Sequence, residues 1–122
     1  MKILLADDDV KIHTVVRLWL GNQGHQLHSA YDGAQALEML SREHFDGLIS
    51  DVNMPLIRGD DLIGKVLELP DVPSLIIMLT SRCDVDKLSQ QISSPRVHLF
   101  NKPFSPSALV ELIDQLLSLI HI

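Results

Sequence analysis

The chain has 122 residues, 46% of them hydrophobic and 21% charged, with a formal net charge of −6. That size and balance fit one soluble globular domain with a real core, and the negative charge argues against nonspecific nucleic-acid binding by this segment. No apolar stretch approaches the roughly 20 residues that span a bilayer, no basic-then-apolar leader opens the chain, and the single cysteine, Cys83, excludes an internal disulfide, so one cytoplasmic domain over residues 1–122 is expected.

Short apolar runs alternate with amphipathic segments, without repeats or linkers. "KILLA" (2–6) lacks polar alternation, as a strand buried on both faces should. Val10, Ile12, Val15, Val16 and Trp19 then recur at helical spacing, and Gly21-Asn22 ends that helix. "HQLHSAY" (25–31) is an alternating strand, and Ala34, Leu37, Met39 and Leu40 mark a helix after Asp32-Gly33. "FDGLIS" (45–50) predicts a third strand and "DLIGKVLEL" (61–69) a third helix. Pro70 and Pro73 frame the turn into the most apolar strand, "SLIIMLT" (74–80). A helix poor in apolar residues (84–92), the strand "RVHLF" (96–100) and a helix starting near Ser105-Pro106 complete the pattern. Five strands alternating with five helices predict an α/β fold, a doubly wound parallel sheet whose functional crevice lies at the carboxyl ends of its strands.

The residues at those ends carry the chemistry. The first strand runs into Asp7-Asp8-Asp9, the third into Asp51, the fourth ends in Thr80, and the fifth runs into Asn101-Lys102-Pro103. Neighbouring carboxylates repel and resist desolvation, so such a cluster lies in water, caps a helix or holds a cation. Singly each residue has an ordinary explanation, since Asp9 suits a helix cap and a lysine before a turn usually faces solvent. Their collection at matching ends of four strands points to a site.

The segments "ILLADDD" (3–9), "LISDVNMP" (48–55), Gly59, "IIMLTS" (76–81) and "NKPF" (101–104) resemble, in order and spacing, the receiver domains of two-component response regulators. The resemblance implies the CheY-like, flavodoxin-like arrangement with strand order 2-1-3-4-5. It implies Asp51 as phosphoacceptor, Mg²⁺ as cofactor with Asp8, Asp51 and the backbone carbonyl of Asn53 as ligands, and Asp7 acting mainly through water. Thr80 would donate its hydroxyl to a phosphoryl oxygen, and Lys102 would pair with Asp51 at rest and with the phosphoryl group afterwards. Pro103 fits the cis peptide that the family places there. Implied partners are a sensor histidine kinase or histidine phosphotransfer protein, and an effector domain or second copy meeting helix 4, strand 5 and helix 5. Neither nucleic acid nor membrane is contacted directly, and no enzymatic role is implied beyond the domain's own phosphorylation and dephosphorylation.

Rival functions fit the letters less well. A haloacid-dehalogenase-type phosphatase resembles Asp-x-Asp-x-Thr after the first strand, but Lys11 stands in the threonine's place. A dinucleotide enzyme needs glycines where this chain has carboxylates. A degenerate receiver that only binds proteins or dimerises is the remaining alternative. The six histidines (13, 25, 28, 44, 98, 121) are scattered, Cys83 beside Asp84 and Asp86 reads as a bystander, and Trp19 and the methionines read as core. Two departures from the family concern output. Leu99 occupies the usual switch-aromatic position with Phe100 beside it, and "SSPRV" (93–97) replaces a Gly-Ala lead into the fifth strand. In the last helix apolar residues cover an arc of roughly 200°, against about 100° needed to lie on a sheet. The core should take Leu109, Ile113, Leu116 and Ile120, leaving Ala108-Leu112-Leu119 or Val110-Leu117 as a candidate partner flank.

Overall fold

The computed structural model describes residues 2–22, 24–51, 59–80, 96–101, 107–108 and 111–115. Strands β1 (Lys2–Ala6), β2 (Gln26–Ala30), β3 (Gly47–Asp51), β4 (Leu75–Thr80) and β5 (Val97–Asn101) alternate with helices α1 (Val10–Asn22), α2 (Gly33–Arg42) and α3 (Gly59–Val66). Residues 107–108 and 111–115 are also helical. The expected helix at 84–92 lies outside the described residues. All strand pairs are parallel, and the order is β2-β1-β3-β4-β5.

Burial explains why the central strands read as unbroken apolar runs. Every residue of β3 and β4 is buried, because helices cover both faces of the sheet. On one face Leu4, Leu48, Ile76 and Met78 pack with Ala36 and Leu40 of α2 and Leu62, Ile63 and Val66 of α3. On the other, Ile3, Leu5, Ile49, Ile77 and Leu79 pack with Val16 and Leu20 of α1 and with Ile113. Leu99 joins the first cluster and Phe100 the second, so the two side chains take opposite faces of β5.

Helix ends follow local chemistry. Asp9 caps α1, its Oδ1 accepting from Lys11 N–H at 3.0 Å. Asp32 caps α2, its Oδ1 accepting from Gln35 N–H at 2.7 Å while Gln35 Oε1 accepts from Tyr31 N–H. After α1 the chain turns at Gly24 (φ +83°), where Gly24 N–H bonds Gly21 O and His25 N–H bonds Leu20 O, both at 3.1 Å. That pair of bonds is a Schellman stop, which needs a left-handed residue.

The buried stripe of α1 differs from the sequence expectation. His13, Val16 and Leu20 face the core, whereas Val10 and Val15 are exposed and Trp19 keeps 43% of its surface in solvent. Trp19 therefore does not fill the core, although Met78 does and Met39 packs at its edge. In the described part of the last helix, Ile113 is buried as expected, while Leu112 is half-buried and packs against the core cluster beside it. Val110, Leu109 and residues 116–122 lie outside the described residues.

Candidate functional site

The acidic rim is assembled by register. Ala6 of β1 pairs with Ser50 of β3, and Ala6 also pairs with Ala30 of β2. Asp51 is the last residue of β3, one place later than the predicted strand end, and pairs with Leu79. The residue following Ala6 is thus level with the residue following Ser50, and Asp7 comes beside Asp51. Ligand oxygens of Asp7, Asp8 and Asp51 all lie within 4.8 Å of one another. Asp7 and Asp51 are buried (1% and 5% exposed), while Asp8 is open to solvent. Thr80, buried at the end of β4, shares this rim and pairs with Asn101 at the end of β5.

The three aspartates of the first turn have divided roles. Asp9 is absorbed in capping α1 and stands apart from the cluster. Its N–H donates to Asp7 Oδ1 at 2.9 Å, while Asp7 N–H donates to Ala30 O at 3.1 Å. Those bonds tie the turn to α1 on one side and β2 on the other. Asp8 is left facing water next to Asp51. Asn53, Lys102 and Pro103 lie outside the described residues, as does Cys83.

The donor set suits a hard cation. Carboxylate oxygens from three residues converge, and two such charges about 4 Å apart repel by about 1 kcal/mol in water and about 4 kcal/mol near a protein surface. A small divalent ion offsets that repulsion, and Mg²⁺ takes one or two carboxylates while keeping several waters. One buried and one exposed carboxylate next to Asp51 fit that mixed coordination.

One residue of this neighbourhood escaped the sequence reading. His13, buried in α1, has Nε2 2.7 Å from Asp7 O and Nδ1 2.8 Å from Ser29 Oγ. Arg17 Nη2 donates to the same Ser29 Oγ at 2.8 Å. The available signal was spacing, since His13, Val16 and Leu20 stand at i, i+3 and i+7 of one helix face. A polar residue on that face, just after the acidic turn, has to find polar partners there.

Comparison with known proteins agrees with this fold. The chain is 30% identical over 110 residues to the transcriptional regulatory protein CutR of Streptomyces coelicolor, covering 90% of this chain and 50% of that protein. It is 34% identical over 116 residues to an uncharacterized 14.6 kDa protein of Leptolyngbya boryana, covering 94% of this chain and 88% of that protein. The chain spans about half the length of several of the curated relatives it matches, CutR among them. Among solved structures, the receiver domain of a signal transduction histidine kinase from Syntrophus aciditrophicus superposes with a TM-score of 0.84 at 25% identity, covering 99% of this chain and 93% of that one. The model of the response regulator receiver domain matches residues 3–114, which contain the acidic rim and all of the five-stranded sheet except Lys2 at the start of β1. This chain belongs to the response regulator receiver domain family.

Proposed function

We propose that residues 1–122 form a phosphoacceptor receiver domain of a two-component system, taking a phosphoryl group on Asp51 from a histidine kinase or histidine phosphotransfer protein. The observation that carries this reading is the convergence of Asp7 and Asp8 on the buried Asp51 at the carboxyl rim of the sheet. Mg²⁺ is the proposed cofactor, held by Asp8, Asp51 and the carbonyl of Asn53, with Asp7 reaching it through water. When bound, it neutralises the charge that otherwise sets an incoming phosphoryl group against Asp51.

The protein's own groups do the rest. A carboxylate is already a nucleophile, so Asp51 needs no base. One of its oxygens attacks phosphorus, the phosphorus–nitrogen bond of the donor phosphohistidine breaks, and the imidazole leaves with a proton from solvent. Thr80 is proposed to donate its hydroxyl to a phosphoryl oxygen, and Lys102 to pair with the phosphoryl charge. Hydrolysis then returns Asp51 and phosphate, so the domain turns over only its own modification. Output is proposed to pass through helix 4, strand 5 and helix 5 to an effector domain or second copy. With Leu99 in place of an aromatic and packed on the core, side-chain rotation at that position is not expected to be the signal. A cytoplasmic setting is part of the same proposal, and no described helix is long and apolar enough to cross a membrane.

Incubation with Mg²⁺ and a small phosphodonor tests the reading. Intact-mass spectra should show one acid-stable, base-labile phosphoryl group, absent from Asp51→Asn. Equal labelling of both proteins would assign the chemistry elsewhere.

A further inference from the structure

Phosphoryl transfer as proposed makes no use of the imidazole buried beside the acidic rim. His13 is 2% exposed, yet both ring nitrogens are engaged, Nε2 with Asp7 O and Nδ1 with Ser29 Oγ. A carbonyl only accepts, so Nε2 carries a proton. Arg17 only donates, so Ser29 Oγ accepts from it and has its own hydroxyl proton to give to Nδ1. One direction of donation, Arg17 to Ser29 to His13 to Asp7, satisfies every group. The Nε2–H tautomer is the one it requires.

Asp7 is consequently held at three points: N–H by Ala30 O, carbonyl by His13, and Oδ1 by Asp9 N–H. The carbonyl gripped by His13 belongs to the peptide that joins Asp7 to Asp8. Turning that peptide plane would swing Asp8 and redirect its carboxylate relative to Asp51. We infer that His13 is a positioning residue, whose Nε2–H, set in that tautomer by Ser29 and Arg17, orients the Asp7–Asp8 peptide and so governs the cation affinity of the rim. The inference rests on the proposal that this rim binds Mg²⁺.

Two substitutions separate orientation from simple packing. A glutamine amide reaches the place of Nε2 and an asparagine amide the place of Nδ1, so only the first can still donate to Asp7 O. In Mg²⁺ titrations followed by amide NMR shifts, His13→Gln should stay within about threefold of the unsubstituted protein, while His13→Asn loses about tenfold or more, the usual effect of removing a group that orients a ligand. Equal affinities for the two variants overturn the inference. A second measurement does not depend on either variant folding. NMR correlation of ring nitrogens with ring protons in mildly alkaline buffer should report the Nε2–H tautomer of His13. An Nδ1–H tautomer in the unsubstituted protein overturns the inference. Failure of the unsubstituted protein to bind Mg²⁺ at all is a different result, and overturns the proposed function together with it.

Discussion

Ala6 and Ser50 are register partners on neighbouring strands, and the residues that follow them, Asp7 and Asp51, therefore end on one rim. Asp8 brings a third carboxylate to within 4.8 Å of both. Without a cation that arrangement is self-repelling. Asp8→Ala should raise the stability of the metal-free protein by about 1 kcal/mol, the size of one such repulsion in water. If the rim holds Mg²⁺ as proposed, the same change should remove the stabilisation that added Mg²⁺ gives by mass action. Thermal melts with and without Mg²⁺ check both parts, and an Asp8→Ala protein still stabilised like the original would rule out Asp8 as a ligand.

Gly24 stops α1 in a left-handed conformation, and a Cβ built there meets nothing within 4 Å. Any penalty for a side chain is therefore conformational, not steric against neighbours. Gly24→Ala should cost about 1 kcal/mol. Urea unfolding measures it, and an unchanged midpoint would mean that the Schellman turn readily rearranges.

At the opposite end of the sheet His44 links two loops, with Nδ1 2.8 Å from Asp71 Oδ2 and Nε2 3.1 Å from Asp46 Oδ1. Hydrogen bonding to Asp71, then to Asp46, raises its pKa above the ordinary 6.5. Its contribution to stability is therefore complete below about 6.5 and is lost as pH rises through the higher folded value. Asp46 behaves in the opposite sense. The Lys2 N–H bonded to its other oxygen, and then His44, hold its pKa below the ordinary 3.8. That contribution is present above 3.8 and is lost as pH falls through the folded value. His44→Gln should flatten the loss of stability on the alkaline side while leaving most of the acid-side loss, as measured by urea unfolding across pH. Identical alkaline slopes would show that the two carboxylates do not hold the ring in its charged form.

Leu112 packs against the cluster that contains Ile113 and α1. A charge placed there loses hydration against apolar neighbours. Leu112→Glu should destabilise the domain by roughly 1–3 kcal/mol, within the range for disrupting partly buried packing. Chemical denaturation checks this, and a variant as stable as the original would return Leu112 to the partner-facing flank.

How far the letters reach depends on whether a property is local. Runs such as "LIIMLT" read as a strand buried on both faces because they are continuously apolar, too short for a buried helix and preceded by the Pro70 and Pro73 turn. Alternation with helices then implies a parallel sheet and a functional rim at its carboxyl ends, so Asp7, Asp8, Asp51 and Thr80 could be grouped from spacing. The cap at Asp9 was equally legible, since its bond to Lys11 N–H spans two residues.

Tertiary structure decided what depends on which surfaces meet. Helix α1 has one broad apolar arc, with Ile12, Val16 and Leu20 on one side and Val15, Leu18 and Trp19 on the other, and helical periodicity favours neither side. Docking on the face of the sheet carrying Ile3, Leu5 and Ile49 selects the first, exposes Trp19 and drives His13 into the interior. There the ring finds Ser29, 16 positions along the chain, and His44 likewise finds Asp71 at a separation of 27. Such partners are set by strand order and helix placement, which minimise exposed apolar area over the whole domain. A local stretch of sequence determines its own conformation and caps, whereas the burial of a polar ring depends on the neighbours that the complete fold brings to it.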